Sequence, residues 1–146
     1  MRFWLEAAAV WLAMLAAMTV NGLVRGVLLV PQLGEHHARQ VSSLLGACIV
    51  FTLAGVFVMR LPDPRRAPLW RVGAFWGLLT LAFELGFGHF ASGLPWSELL
   101  ADYDLAAGRL WPLVLATTVV APWFWGMAAR GAAPRMGPPA RAARGG

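Results

Sequence analysis

Four long apolar stretches alternate with short polar connectors along the chain. As an α-helix, each is long enough to cross about 30 Å of hydrocarbon, since a helix rises about 1.5 Å per residue. The predicted spans are residues 3–30, 41–59, 69–90 and 110–129. The pattern therefore predicts an all-α polytopic membrane protein, with residues 1–129 forming a four-transmembrane-helix bundle.

The composition supports the membrane class. Of the 146 residues, 59% are hydrophobic and only 13% are charged, whereas about a quarter of the residues of a soluble domain are charged. A net charge of +5 in a soluble protein would indicate a nucleic-acid partner, but in a membrane protein it reflects orientation. The predicted partners are the lipid bilayer and, beyond it, a homo-oligomer or a larger membrane complex, with no nucleic acid.

The distribution of arginine predicts the orientation. Most arginines fall on the side shared by the N-terminus, the second connector and the tail, and the exceptions are Arg25, Arg39 and Arg109. The positive-inside rule places this arginine-rich side in the cytoplasm, so both termini are predicted to be cytoplasmic. Residues 130–146 are rich in Gly, Pro and Ala and are predicted to form a disordered cytoplasmic tail.

The connector between the third and fourth spans is polar and acidic. It predicts a short interfacial helix from Ser97 to Leu105 on the outer side, with the Ser97 side chain as its N-cap. The membrane face of this helix would carry Trp96, Leu99, Leu100 and Tyr103.

Tryptophans occur at two kinds of position. Those at the span ends, such as Trp111 and Trp125, are typical of an interfacial aromatic belt. Trp11 and Trp76 lie within spans, so the sequence predicts that they pack between helices.

Polar residues within the spans are the candidate site. Glu84 interrupts an apolar run of the third span, and Arg25 lies at a similar distance from the outer end of the first span. Opposite charges at matching depth lower the cost of burying both, so we expect Glu84 to pair with Arg25, with Asn21 nearby. The first and third spans would then be neighbours. Such a pair is either a structural clamp or a site for a proton, ion or ligand, and the sequence leaves both open.

Histidines extend the candidate site toward the outer face. His89 follows Glu84 by five residues and completes a predicted ligand-binding or structural polar cluster of Asn21, Arg25, Glu84 and His89. His36, His37 and Asp102 are candidates for a metal site built from imidazoles and carboxylates. Their spacing matches no known zinc pattern, and no cofactor is predicted.

Glycines spaced four apart occur in two spans. Gly22 and Gly26 form one such pair, and Gly73 and Gly77 form the other. This spacing predicts close approach of a neighbouring helix.

The sequence contains none of the common catalytic motifs, such as a nucleophile elbow, a paired-cysteine motif, a phosphate-binding loop or a zinc-protease helix. The leading prediction is a non-enzymatic accessory or assembly subunit of a membrane complex. The alternative is a small oligomeric transporter or ligand-binding membrane protein that uses the polar cluster around Glu84. A water-filled cavity that reaches Glu84 would favour the alternative.

The segment from Glu84 onward carries a resemblance over about a third of the chain. Its motifs GHF..G..W, DYDL and GRLW are similar to those of small uncharacterised bacterial inner-membrane proteins. The resemblance implies four spans and a location in the bacterial cytoplasmic membrane, and it implies no activity.

Overall fold

Long helices dominate the structure, a computed structural model that describes residues 1–64 and 67–131. The α-helices are α1 (Arg2–Val24), α2 (Val30–Met59), α3 (Leu69–Gly86), α4 (Trp96–Ala101) and α5 (Trp111–Gly131). Two π-helical turns, Arg25–Leu29 and Phe87–Ala91, extend α1 and α3. Since no strand occurs in the described ranges, the predicted all-α class is confirmed.

Helices α1 and α2 form an antiparallel hairpin that reverses at Gly34. The backbone of Gly34 has φ 74° and ψ 163°, a conformation that only glycine adopts without strain. The two arms of the hairpin contact each other: Asn21 Nδ2 donates to the Ser42 carbonyl at 2.9 Å, and the rings of Phe3 and Phe57 lie 5.9 Å apart. The reversal folds one helical run of 58 residues back upon itself.

Helices α1 and α3 are parallel neighbours, joined by two tryptophans. Trp11 Nε1 donates to Thr80 Oγ1 at 3.1 Å, and Trp76 Nε1 donates to the Ala7 carbonyl at 2.8 Å. Trp76 is fully buried. These bonds confirm that Trp11 and Trp76 pack between helices and that the first and third helices are adjacent.

Helices α3 and α5 cross at close range because of glycine. A Cβ on Gly73 would overlap the carbonyl oxygen of Val119, and a Cβ on Gly77 would press on the Val119 side chain. The prediction of close packing is therefore confirmed for this pair. A Cβ added at Gly22 or Gly26 would meet no other part of the described chain within 4 Å. No helix of the described residues therefore packs closely on this pair.

Most of the apolar surface of the long helices points outward. Three helical segments, Arg2–Met59, Leu69–Ala91 and Trp111–Gly131, are long and apolar enough to cross a membrane. In the most apolar 18-residue stretch of each segment, less than two fifths of the residues are buried inside the protein. Side chains such as Leu23, Leu78 and Met59 are instead largely exposed. An apolar exterior over helices of this length suits a lipid environment.

Residues 92–110, named here the α4 segment, cover one end of the helices. Helix α4 begins after Pro95 without a side-chain cap, so the predicted Ser97 cap is not formed, and the helix ends at Ala101 rather than Leu105. Leu99 is buried and packs where Gly88 leaves room for it, whereas Leu100 is exposed. The expected short helix is therefore present, in a shorter form.

At the C-terminal end, α5 continues to Gly131, two residues beyond the predicted end of the fourth span at 129. The remainder of the predicted tail lies outside the described residues.

Candidate functional site

Glu84 lies where α3, the α4 segment and α5 meet. Its Oε2 accepts hydrogen bonds from the Tyr103 hydroxyl at 2.6 Å and from Trp111 Nε1 at 2.7 Å. The side chain is half-buried. Two neutral donors on one oxygen satisfy a carboxylate without an ion pair, and they join three parts of the chain through one residue.

The predicted ion pair between Glu84 and Arg25 is not formed. Among the described residues, no nitrogen of Arg25 lies within 4.0 Å of a carboxylate oxygen. The register of α1 on α3 supplies the reason. Each of the two tryptophan bonds joins a residue of α1 to the residue 69 positions later in α3. With the same offset, Glu84 of α3 is level with Leu15 of α1. Arg25 is ten residues farther along, about 15 Å at 1.5 Å per residue.

Asn21 belongs to the hairpin of α1 and α2 rather than to the surroundings of Glu84. It is 5% exposed, and its Nδ2 bonds to the Ser42 carbonyl. Its Oδ1 is the one buried side-chain oxygen or nitrogen that lacks a partner within the described ranges. Asn21 therefore fixes how α1 and α2 meet.

His89 is also separate from Glu84. Its Nδ1 lies 3.0 Å from the Leu94 carbonyl, and its ring stacks on Trp96 at 4.3 Å between centroids. Asn21 and His89 thus make contacts that are separate from those of Glu84, and His89 helps to hold the start of the α4 segment.

Charged residues link α2 to the α4 segment. Arg39 contacts Glu35 at 2.8 Å and Asp102 at 3.3 Å, and Arg109 also pairs with Asp102. All four side chains are partly exposed, so each pair contributes little to stability by itself. The network contains two guanidinium groups and two carboxylates, and its charges balance.

The candidate metal ligands do not converge. Within the part of the chain that the structure describes, no group of three or more His, Cys, Asp or Glu residues is placed to hold a metal ion. His36 Nε2 lies 3.2 Å from Gln40 Nε2, the His37 ring contacts the His36 ring edge-on, and Asp102 is engaged by arginines.

Two chambers meet at Glu84. The polar chamber, about 530 Å³, is lined by residues that include Arg25, Arg39, Ser43 and Arg109. The apolar chamber, about 340 Å³, is lined by residues that include Trp11, Met18, Phe83 and Val114. Glu84, Asp102 and Trp111 line both, so they form the common wall. Both volumes fall within the range of about 300–1,000 Å³ that is typical of ligand sites.

The second oxygen of the Glu84 carboxylate is accessible. Oε1 accepts no hydrogen bond from a described residue. It is also not among the buried polar atoms without a partner, a group that in the described chain contains Asn21 Oδ1 alone. Glu84 therefore keeps one free acceptor beside two chambers.

Tyr103 and Trp111 are partners of Glu84 that the sequence does not predict. An aromatic residue with a polar tip at a span end is typical of the membrane interface, so the sequence indicates that position for both. Nothing in helical periodicity relates residues 19 and 27 positions away from Glu84.

The pKa of Tyr103 gives a direct test of this contact. Burial raises the pKa of the Tyr103 hydroxyl, and the hydrogen bond to Glu84 raises it further. Because Tyr103 is the single tyrosine of the chain, its phenolate absorbance can be followed alone. We expect the folded protein to titrate well above the usual value of about 10. The contribution of this contact to stability is fully present at pH values below about 10, the usual pKa of tyrosine. It is lost as the pH rises through the higher pKa of the folded state.

The matched variant for this titration is Glu84→Gln, which keeps an oxygen acceptor but removes the negative charge. It should lower the pKa of Tyr103 only part of the way toward the usual value, since burial is the larger cause. A wild-type titration at the usual value would show that Tyr103 is solvated and not bonded to Glu84.

Together, the fold and the chambers define an all-helical protein with helices apolar enough to cross a membrane and a polar site covered by the α4 segment. Comparison with family models gave no match, and comparisons with curated proteins and with solved structures gave no significant match either. A functional conclusion therefore depends on the geometry of the site.

Proposed function

We propose that this protein is a four-span integral membrane protein that binds a small molecule in the two chambers at Glu84. The observation that carries the proposal is the place of Glu84 in the wall shared by a polar and an apolar chamber. A carboxylate with one satisfied oxygen and one accessible oxygen can anchor a ligand without first breaking its own contacts. Ionisable groups within membrane helices commonly mark such sites.

The hairpin supports the proposed number of spans. A span needs about 20 residues, and the continuous run Arg2–Met59 has 58 and reverses at Gly34. Helices α1, α2, α3 and α5 then each cross the membrane once. The arginine distribution supports cytoplasmic termini and an outer position for the α4 segment. The resemblance of the segment from Glu84 onward supports the cytoplasmic membrane of a bacterium as the location.

Filling the polar chamber tests ligand binding. Ser43 lines this chamber, whereas the neighbouring Leu44 is exposed and lines neither chamber. Protein purified in a mild detergent should carry a bound small molecule detectable by native mass spectrometry. We expect Ser43→Trp to lose it and Leu44→Trp to retain it. Equal retention by both variants would refute binding in the chamber.

A second candidate function is an accessory subunit of a membrane complex. The supporting observation is the open space above Gly22 and Gly26, flanked by the exposed side chains of Leu23 and Val27. A glycine pair of this spacing accepts a second helix at close range. None of Gly22, Leu23, Gly26 and Val27 lines either chamber, so the two functions are compatible.

A further inference from the structure

One guanidinium group of the polar chamber makes no ion pair with a described residue. Arg39 and Arg109 are engaged by Glu35 and Asp102, which balances those four residues. Arg25 lines the same chamber, and it makes no ion pair and no side-chain hydrogen bond with any residue in the ranges 1–64 and 67–131. A guanidinium group binds phosphate through up to two parallel hydrogen bonds. The chamber therefore suits a ligand with a phosphate group.

Glu84 adds a second requirement at the other side of the same chamber. Its accessible Oε1 is an acceptor, so the matching ligand group is a hydrogen-bond donor such as an ammonium or a hydroxyl group. An acceptor left unpaired after the chamber is closed off from water lowers affinity. A headgroup that carries a phosphate and a donor would satisfy both Arg25 and Glu84.

The apolar chamber supplies the third requirement. It adjoins the polar chamber at Glu84, and its lining includes Phe83, Phe87 and Leu94, whose side chains are exposed. A hydrocarbon chain can therefore enter from the side, out of the bilayer. Burial in such a space is favourable for any part of the chain that lies outside the bilayer core.

We propose that the ligand is a phospholipid whose headgroup carries a hydrogen-bond donor, with its phosphate at Arg25, its donor at Glu84 Oε1 and part of one acyl chain in the apolar chamber. This inference rests on the proposed function, since it names the chemical class of the molecule bound in the two chambers. Phosphatidylethanolamine and phosphatidylglycerol meet these requirements. Phosphatidylcholine has the same phosphate and acyl chains but lacks the donor.

The test is a titration of the detergent-purified full chain with dioleoyl phosphatidylethanolamine, phosphatidylglycerol and phosphatidylcholine, with bound lipid counted by native mass spectrometry. We expect one tightly held lipid per chain, with affinity for the first two about tenfold above that for phosphatidylcholine, the value of one hydrogen bond to a charged group. Equal affinity for all three lipids would overturn the proposal. Complete displacement by inorganic phosphate alone would also overturn it, in favour of a free phosphate ligand.

Two variants separate the roles of the headgroup contacts. In Glu84→Gln, the amide oxygen can keep the bonds from Tyr103 and Trp111 while the NH₂ group replaces Oε1, so the preference over phosphatidylcholine should disappear. Arg25→Gln should weaken the binding of all three lipids about tenfold. Arg25→Lys should recover only part of this loss, because lysine keeps the positive charge but not the two parallel hydrogen bonds. The exposed Arg71, which lies over Trp70 outside the chambers, supplies the control Arg71→Gln. An Arg25→Gln variant that binds like Arg71→Gln would refute the phosphate contact.

The Ser43→Trp variant keeps this inference distinct from the proposed function. If phospholipids bind without a preference for a donor but Ser43→Trp abolishes binding of another molecule, the chambers bind a ligand of a different class. If Ser43→Trp changes no binding at all, the proposed function itself fails.

Discussion

Replacement of Gly73 by alanine should destabilise the protein by about 3 kcal/mol, at the upper end of what overpacking a core costs. The added Cβ would fall on the carbonyl oxygen of Val119, which belongs to the backbone of α5 and cannot turn aside as a side chain can. Helices α3 and α5 would have to separate. That movement would also disturb the nearby contact between Gly77 and Val119.

The matched control is Gly22→Ala, the same substitution in another long helix. A Cβ at Gly22 meets nothing within 4 Å. The substitution should therefore be neutral or stabilise the protein by up to about 1 kcal/mol, because alanine is the better helix former. Unfolding of both variants in detergent, followed by circular dichroism, measures the difference. Similar midpoints for the two variants would show that α3 and α5 do not approach as closely as described.

Removal of the Glu84 side chain should have the second large effect. Glu84→Ala leaves the Tyr103 hydroxyl and Trp111 Nε1 without their acceptor, and hydrogen bonds to charged groups contribute about 1.5–3 kcal/mol each. Since the site is only half-buried, water can accept some of the hydrogen bonds that Glu84 no longer accepts. We therefore expect the free energy of unfolding to fall by about 2–3 kcal/mol. Glu98→Ala, in the exposed first turn of α4, should change stability by less than about 0.5 kcal/mol.

A double-mutant cycle assigns this loss to a particular contact. Trp111→Phe removes the indole donor and keeps an aromatic ring, and Trp70→Phe makes the same change at an exposed position. If Glu84 and Trp111 interact, Glu84→Ala combined with Trp111→Phe should lose about 1 kcal/mol less than the sum of the single losses. With Trp70→Phe the losses should add. Additivity in both cycles would mean that the indole does not bond to Glu84.

These effects bear on function because the same residues build the site. The bonds from Tyr103 and Trp111 hold the α4 segment and the start of α5 against α3, and this arrangement closes the wall between the chambers. A ligand that uses Oε1 of Glu84 would contact the residue that organises this end of the protein. Ligand binding should therefore also protect the α4 segment from local unfolding.

Much of the helical architecture could be predicted from the sequence. The ends of α5, and of α3 together with its π-helical turn, lie within two residues of the predicted fourth and third spans, because helices of span length need long runs of apolar residues whatever they pack against. Helix α2 instead begins at Val30, eleven residues before the predicted second span, because the polar connector expected at residues 31–40 is helical on both sides of Gly34. The glycine spacing at Gly73 and Gly77 and the placement of Trp11 and Trp76 were also confirmed, since both follow from side-chain size and position within a single helix.

The partners of Glu84 could not be predicted in the same way. Arg25 was a reasonable choice on charge and on distance from the ends of its helix. That argument assumes that α1 and α3 end at the same level, whereas the contacts of Trp11 and Trp76 shift one helix along the other and separate the two residues. A shift of this kind is set by how side chains of two helices interdigitate, and it leaves no periodic trace in either sequence.

The sequence by itself therefore determined the class of this protein, the helices and the presence of a carboxylate within an apolar helix. These properties depend on composition and on local periodicity, which each segment carries alone. Only the tertiary structure decided that Glu84 bonds to Tyr103 and Trp111, that Arg25 has no counterion among the described residues, and that two chambers share a wall. Each of these depends on the register between segments far apart in the chain, because a shift of one helical turn, about 5.4 Å, exchanges every partner at the contact.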